Sequence, residues 1–159
     1  MGDLVAAHFN QTQDLRASIY ALSSSLRKIA RPKLNQAFAN LIPDVMAGSA
    51  CKRLMLYARW MIRKEDGVDL GVWSLPARVL VIPVDTHIAR ISSYIGLTQR
   101  EDASWKTAEE ITAALRTLDP EDPVKYDFAL CHLGISGSCP KKKHPVKCEG
   151  CPIRGICQL

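Results

Sequence analysis

Residues 139–159 read CPKKKHPVKCEGCPIRGICQL and close the chain. Within them Cys139, Cys148, Cys151 and Cys157 form a C-x8-C-x2-C-x5-C array. Thiolates spaced this closely predict a cage for a metal or an iron–sulfur cluster. A lone C-x2-C says little. A further cysteine on each side, with Pro140 and Pro152 directly after two of the four, is much harder to reach by chance. The start, Met1-Gly2-Asp3-Leu4, lacks the basic and then apolar pattern of a secretory signal, so six cysteines predict a reducing, cytoplasmic setting and not three disulfides. Lys141, Lys142, Lys143, Lys147 and Arg154 face Glu149 alone in this stretch. Basic charge of that density suits a polyanion such as nucleic acid, or a solvated loop that keeps the chain in solution.

Outward from the array the pattern is helical, and the predicted fold class is all-α. With 159 residues and 47% hydrophobic content the chain can bury a real core, and no apolar run is long enough to cross a membrane. Leu15, Ile19, Leu22, Leu26 and Ile29 recur at spacings of three and four, which predicts a helix over 13–29. Arg31-Pro32 breaks it, and 34–41 reads as a short second helix. Gly48 opens a longer one over 49–63, ended by Asp66-Gly67. Residues 66–83 read as an irregular connection, with 78–82 as a strand candidate that lacks an evident partner. Further helices are expected over 85–95, from a Thr107-to-Glu110 capping box to Leu118, and from Asp122-Pro123 to Gly134. The division expected is a helical unit, 1–138, and the cysteine loop, 139–159.

Two residues could do chemistry. Asp85, in the run from Ile82 to Ile91, reads as an N-cap whose charged form the first turn's N–H groups favour. His87 follows as a partner or as a packed side chain. Lys52 lies in the first turn after Gly48, where a helix start offers N–H groups to a phosphate. Lys52, Arg59 and Arg63 fall within roughly 40° on that helix, a basic stripe. The stripe can grip phosphates, stay solvated, or pair with Glu65, Asp66 and Asp69. Cys51 and Cys131 read as core cysteines.

These pieces, in this order, resemble the helix-hairpin-helix DNA glycosylases of the endonuclease III type. Leu41-Ile-Pro43 and the segment from Gly48 to Lys52 stand for the family's hairpin. Val84-Asp-Thr-His87 matches its second motif, and the four C-terminal cysteines match its cluster ligands with a longer first gap. That gap and the phrase from Arg59 to Lys64 look closer still to a branch of unassigned function, the domain-of-unknown-function family 2400. Ser49 and Ala50 depart from the hairpin pattern, and the stretch from Lys52 to Asp85 is longer than usual. Fewer residues precede Gly48 than the family places there, which implies a shortened N-terminal part.

The resemblance implies a glycosylase-like helical fold and a [4Fe-4S] cluster on Cys139, Cys148, Cys151 and Cys157, with zinc the alternative metal. It implies base-excision repair chemistry on double-stranded DNA carrying a damaged base or an abasic site. Lys52 would attack C1′ as a glycosylase or abasic-site lyase nucleophile, and Asp85 would assist. Gly48, Arg59, Arg63, Lys141, Lys142 and Lys143 would contact DNA. The alternative is a DNA-binding protein that kept the scaffold and cluster without catalysis.

Overall fold

Leu15, Ile19 and Leu22 share one helical face and are buried along it. Their helix, Leu15–Ala30, is α2 in the computed structural model, which describes residues 1–30, 40–64 and 67–159. The others are α1 (Gly2–Thr12), α3 (Lys52–Ile62), α4 (Thr86–Tyr94), α5 (Trp105–Leu118), α6 (Asp127–Ile135) and α7 (Pro145–Glu149). Short 3-10 turns lie at Val45–Ala47, Ala77–Val79 and Arg154–Ile156. Among the described residues there is no strand, only an isolated antiparallel bridge between Ser49 and Ser104, and the class is all-α. No described helix is long and apolar enough to cross a membrane.

Several boundaries differ from the sequence expectation, each for a local reason. α1 carries only Val5 and Phe9 into the core, too sparse a stripe to register. Gln13, in the left-handed region at φ 54, turns the chain back so that α2 packs on α1. Ile29 does not join the α2 stripe and is exposed. The helix expected over 34–41 lies outside the described residues except for its end, where 40–41 are helical. The break at Arg31-Pro32 and the stop at Asp66 also fall outside them.

α3 begins at Lys52 and not at Ser49, because 48–50 are tied sideways. Ala50 N–H donates to the Ala103 carbonyl at 3.1 Å, and Trp105 N–H to the Gly48 carbonyl at 2.8 Å. The cap of α5 is Ser104, whose hydroxyl accepts from Thr107 N–H, three residues ahead of the expected box. Glu110 instead accepts from the Thr98 hydroxyl at 2.6 Å. Asp122-Pro123 opens no helix. The Asp122 carboxylate is taken by Arg63, residues 123–126 form turns, and α6 starts at Asp127.

The connection between α3 and α4 is irregular but not loose. Trp73, Leu75, Leu80, Ile82 and Val84 are all buried in it, and full burial of such side chains contributes roughly 1.5–3 kcal/mol each. The strand candidate 78–82 finds a hydroxyl where a sheet would need a strand: Ile82 N–H donates to Thr112 Oγ1 of α5 at 3.0 Å. This buried segment delivers Asp85 to the head of α4.

Candidate active site

Asp85 caps α4 with one oxygen only. Oδ1 accepts from the N–H groups of His87 and Ile88, both at 2.9 Å. Oδ2 is left facing the head of α3, and there it meets Lys52 Nζ at 2.5 Å. The two side chains are part-exposed, 35% for Lys52 and 19% for Asp85. Burial works against charge on both. The bond and field of Asp85 outweigh it and hold the Lys52 amine above the ordinary lysine pKa. Likewise Lys52 and the two backbone N–H groups outweigh burial and hold the Asp85 carboxyl below the ordinary range. The signs for stability follow. The Asp85 share is present above the ordinary carboxylate pKa and is lost as pH falls through the lowered value. The Lys52 share is present below the ordinary lysine pKa and is lost as pH rises through the raised one.

The pair sits beside an open cleft of about 610 Å³, lined by Lys52, Arg53, Cys51, Ser49, Asn40 and Val84 among others. Cys51, the residue before Lys52, is buried with φ 47 and ψ 43. A non-glycine residue in this left-handed region costs about 1 kcal/mol, and strain of this kind gathers at functional sites. Burial pushes the Cys51 thiol up, so it is an inert core cysteine.

The approach to Lys52 is held from α2 by two arginines that the sequence did not mark. Arg16 donates through Nε and Nη2 to the Val45 carbonyl at 3.2 and 3.0 Å. Arg27 does the same to the Ile42 carbonyl at 3.0 and 2.8 Å. Arg16 also lies over the Trp105 ring, 4.4 Å from its centroid.

The basic stripe on α3 is corrected by the structure. Lys52 reaches the cleft, but Arg59 and Arg63 are only 3% and 5% exposed. Arg59 binds Asp127 at 2.5 Å and Asp69 at 3.2 Å. Arg63 binds Asp69 at 2.6 Å and Asp122 at 2.9 Å. Of the acids expected near the stripe Asp69 is there, and Glu65 and Asp66 lie outside the described residues. Both guanidiniums are buried and engaged by carboxylates, so neither is presented to a phosphate. Gly48 is exposed at the turn before α3, with φ 90.

α6 backs the site. Gly134 lies against His87 of α4; a Cβ there would stand 2.7 Å from His87 Cβ. Gly134→Ala is expected to force α4 and α6 apart at a cost of about 1–3 kcal/mol, read as a lower denaturant midpoint. An unchanged midpoint would show that the contact yields freely.

The cysteine segment lines a second cavity. All six cysteines are free, and Cys139, Cys148, Cys151 and Cys157 line one cavity of about 430 Å³. Cys131 is not among its walls. Among the described residues, no three His, Cys, Asp or Glu side chains converge closely enough to hold a single metal ion. Arg90 of α4 donates to the Cys139 carbonyl at 3.1 Å, tying this segment to the helix that Asp85 caps. Lys141, Lys142, Lys143 and Lys147 are exposed, and Lys147 Nζ also donates to the Gly137 carbonyl.

Neither the curated proteins nor the solved structures yield a match to this chain. A family profile described as "Protein of unknown function (DUF2400)" matches residues 1–136, taking in Lys52, Asp85 and Asp127 and ending short of Cys139. With most of its length matched, the chain belongs to the DUF2400 family.

Proposed function

We propose that this chain is a DNA-repair lyase of the helix-hairpin-helix glycosylase type, acting on abasic or damaged nucleotides through a Schiff base on Lys52. The observation that carries the reading is a lysine amine and a carboxylate 2.5 Å apart beside an open cleft. An amine becomes a nucleophile only when neutral, and Lys52 rests charged. Its proton must pass to Asp85 Oδ2, the base within reach, or to water. The neutral amine then adds to the C1′ aldehyde of the ring-opened abasic sugar, and the carbinolamine loses water to give an iminium cation. Loss of a C2′ proton expels the 3′ phosphate and nicks the strand, and hydrolysis of the imine returns the free amine. On a damaged nucleotide the same amine would displace the base at C1′, with Asp85 stabilising the oxocarbenium-like charge. Such a base must first be turned out of the duplex.

Phosphate contacts fall to the exposed Lys141, Lys142 and Lys143, with Arg53 beside the cleft. Gly48, exposed at the turn, offers close backbone approach. Arg59 and Arg63 are left out, since they are buried in ion pairs.

The residues of the cysteine cavity fit a [4Fe-4S] cluster. Four free thiols around a shared cavity, with x8 and x5 gaps unlike the paired C-x2-C of zinc knuckles, favour a polynuclear cluster over zinc. Cys139, Cys148, Cys151 and Cys157 would hold it, and its contribution would be structural, fixing the basic segment in place. The purified protein is then expected to be brown, with iron and acid-labile sulfide in equal amounts, and Cys148→Ser to lose both. A colourless protein carrying zinc would overturn the cluster.

The deciding test is incubation with an abasic-site duplex in the presence of borohydride, which reduces the imine to a stable covalent adduct. An adduct is expected. Salt-sensitive DNA binding with no adduct would sink the lyase and leave a non-catalytic DNA-binding module.

A further inference from the structure

α6 is apolar on every side. Phe128, Ala129, Leu130, Cys131, Leu133 and Ile135 run round it, a pattern that belongs to a helix buried all round. Its burial is one-sided instead. Leu130 and Gly134 are buried, and Gly134 meets His87 of α4. Phe128 is 56% exposed and Ile135 63%. Phe128 and His132 stand one turn apart, roughly 120–160° round the helix from Gly134. Their rings stack, with 5.8 Å between centroids and 14° between planes. His132 is exposed as well.

Both rings belong to a groove of about 910 Å³ between α6 and the cysteine segment, whose other wall carries Val146, Lys147, Pro152 and Ile153. Lys147 Nζ gives one hydrogen to the Gly137 carbonyl at 3.0 Å, tying the walls together, and an ammonium has two more to give. The described walls carry no carboxylate, so the charge they offer is positive. Lys141, Lys142 and Lys143, exposed on the same segment as Lys147, extend that field.

We propose that this groove binds an unpaired stretch of nucleic acid, with bases against Phe128 and His132 and a backbone phosphate at Lys147. Charge and shape select this occupant together. An open, flat aromatic pair offers a π-face that every base can stack on, and the cation beside it answers the phosphate that each base brings. The ring side of α6 is turned from the side that meets α4, so the strand leaves the Lys52 cleft free. The groove is a second site, and it does not depend on the lyase reading.

The probe is a fluorescein-labelled oligothymidylate about twelve nucleotides long, within the span of known single-strand sites, titrated with the intact protein and read by anisotropy. Binding that weakens with salt is expected. Phe128→Ala, at an exposed position, should keep the fold by circular dichroism and lose affinity by about fivefold or more, the stacking of one base. Lys147→Gln should flatten the slope of log affinity against log salt by about 0.7, one phosphate. Phe128→Trp keeps a platform, and its added indole emission should be quenched by the strand. No binding by the unsubstituted protein, an affinity unmoved in Phe128→Ala, a slope unmoved in Lys147→Gln or an unquenched indole overturns the proposal. A dimer in sedimentation that Phe128→Glu dissolves would also overturn it and give the groove to a second copy. Absence of any borohydride adduct on abasic duplex would sink the lyase reading and leave the oligothymidylate result standing by itself.

Discussion

Lys52→Ala is expected to abolish the borohydride-trapped adduct, a loss on the order of 10³-fold or more, because among the described residues Lys52 is the lysine that lines the cleft. The loss should come without loss of fold. Lys52 is part-exposed and contributes an ion pair of the kind that is worth up to about 1 kcal/mol once solvent screens it. Thermal unfolding of the variant should therefore stay within a few degrees of the parent while activity vanishes. Asp85→Asn separates the two duties of its carboxylate. Asparagine caps a helix nearly as well, so α4 keeps its start, but the charge that supports the transition state is gone, a loss of about 10²-fold. An adduct of undiminished yield in Lys52→Ala would remove Lys52 from the chemistry.

The largest effect on stability is expected from Asp69→Ala. Its side chain is fully buried and its Oδ2 serves Arg59 at 3.2 Å and Arg63 at 2.6 Å. Removing one member of a buried ion network strands the remaining charges, at a cost of about 3–5 kcal/mol. Against a whole-domain stability of about 5–15 kcal/mol that is a severe change, and it should lower the melting temperature by about 10 °C or more. The network links α3 to the connection after it, to the turn before α6 and to α6 itself, so the damage should not stay local. A variant that melts with the parent would mean that water already shares these charges.

What the sequence made legible, and what it hid, divides along physical lines. The α4 start was legible because Asp85 followed by an apolar stripe of Ile88, Ile91 and Ile95 is a local signal, and the observed cap confirms that local reading. The α5 cap was misplaced because Thr107-to-Glu110 fits the same pattern as Ser104 with Thr107, and only the Asp102 and Thr98 contacts break the tie. Helical spacing put Arg59 and Arg63 on one line with Lys52 but could not say what faces them. Their partners arrive from residues 69, 122 and 127, through turns that no periodicity encodes. For the same reason Arg16, Arg27, Asp127 and the Gly134–His87 contact left no mark in the sequence. The cysteine spacing predicts a metal or cluster cage; the structure shows the four cysteines lining one cavity, and what they bind is a matter for the iron and sulfide determination.

The divided carboxylate of Asp85 bears on how relatives of this chain should be read. An aspartate in that place is wanted twice over, once to begin a helix and once to face an amine, so finding it in another sequence says nothing about activity. A lysine at the first position of α3 is called for neither as a cap nor in the core, and its ion pair with Asp85 is worth only up to about 1 kcal/mol. Of the two, only Lys52 is diagnostic. On the proposed lyase reading, a relative that keeps the aspartate and drops the lysine is expected to be a folded protein without that chemistry.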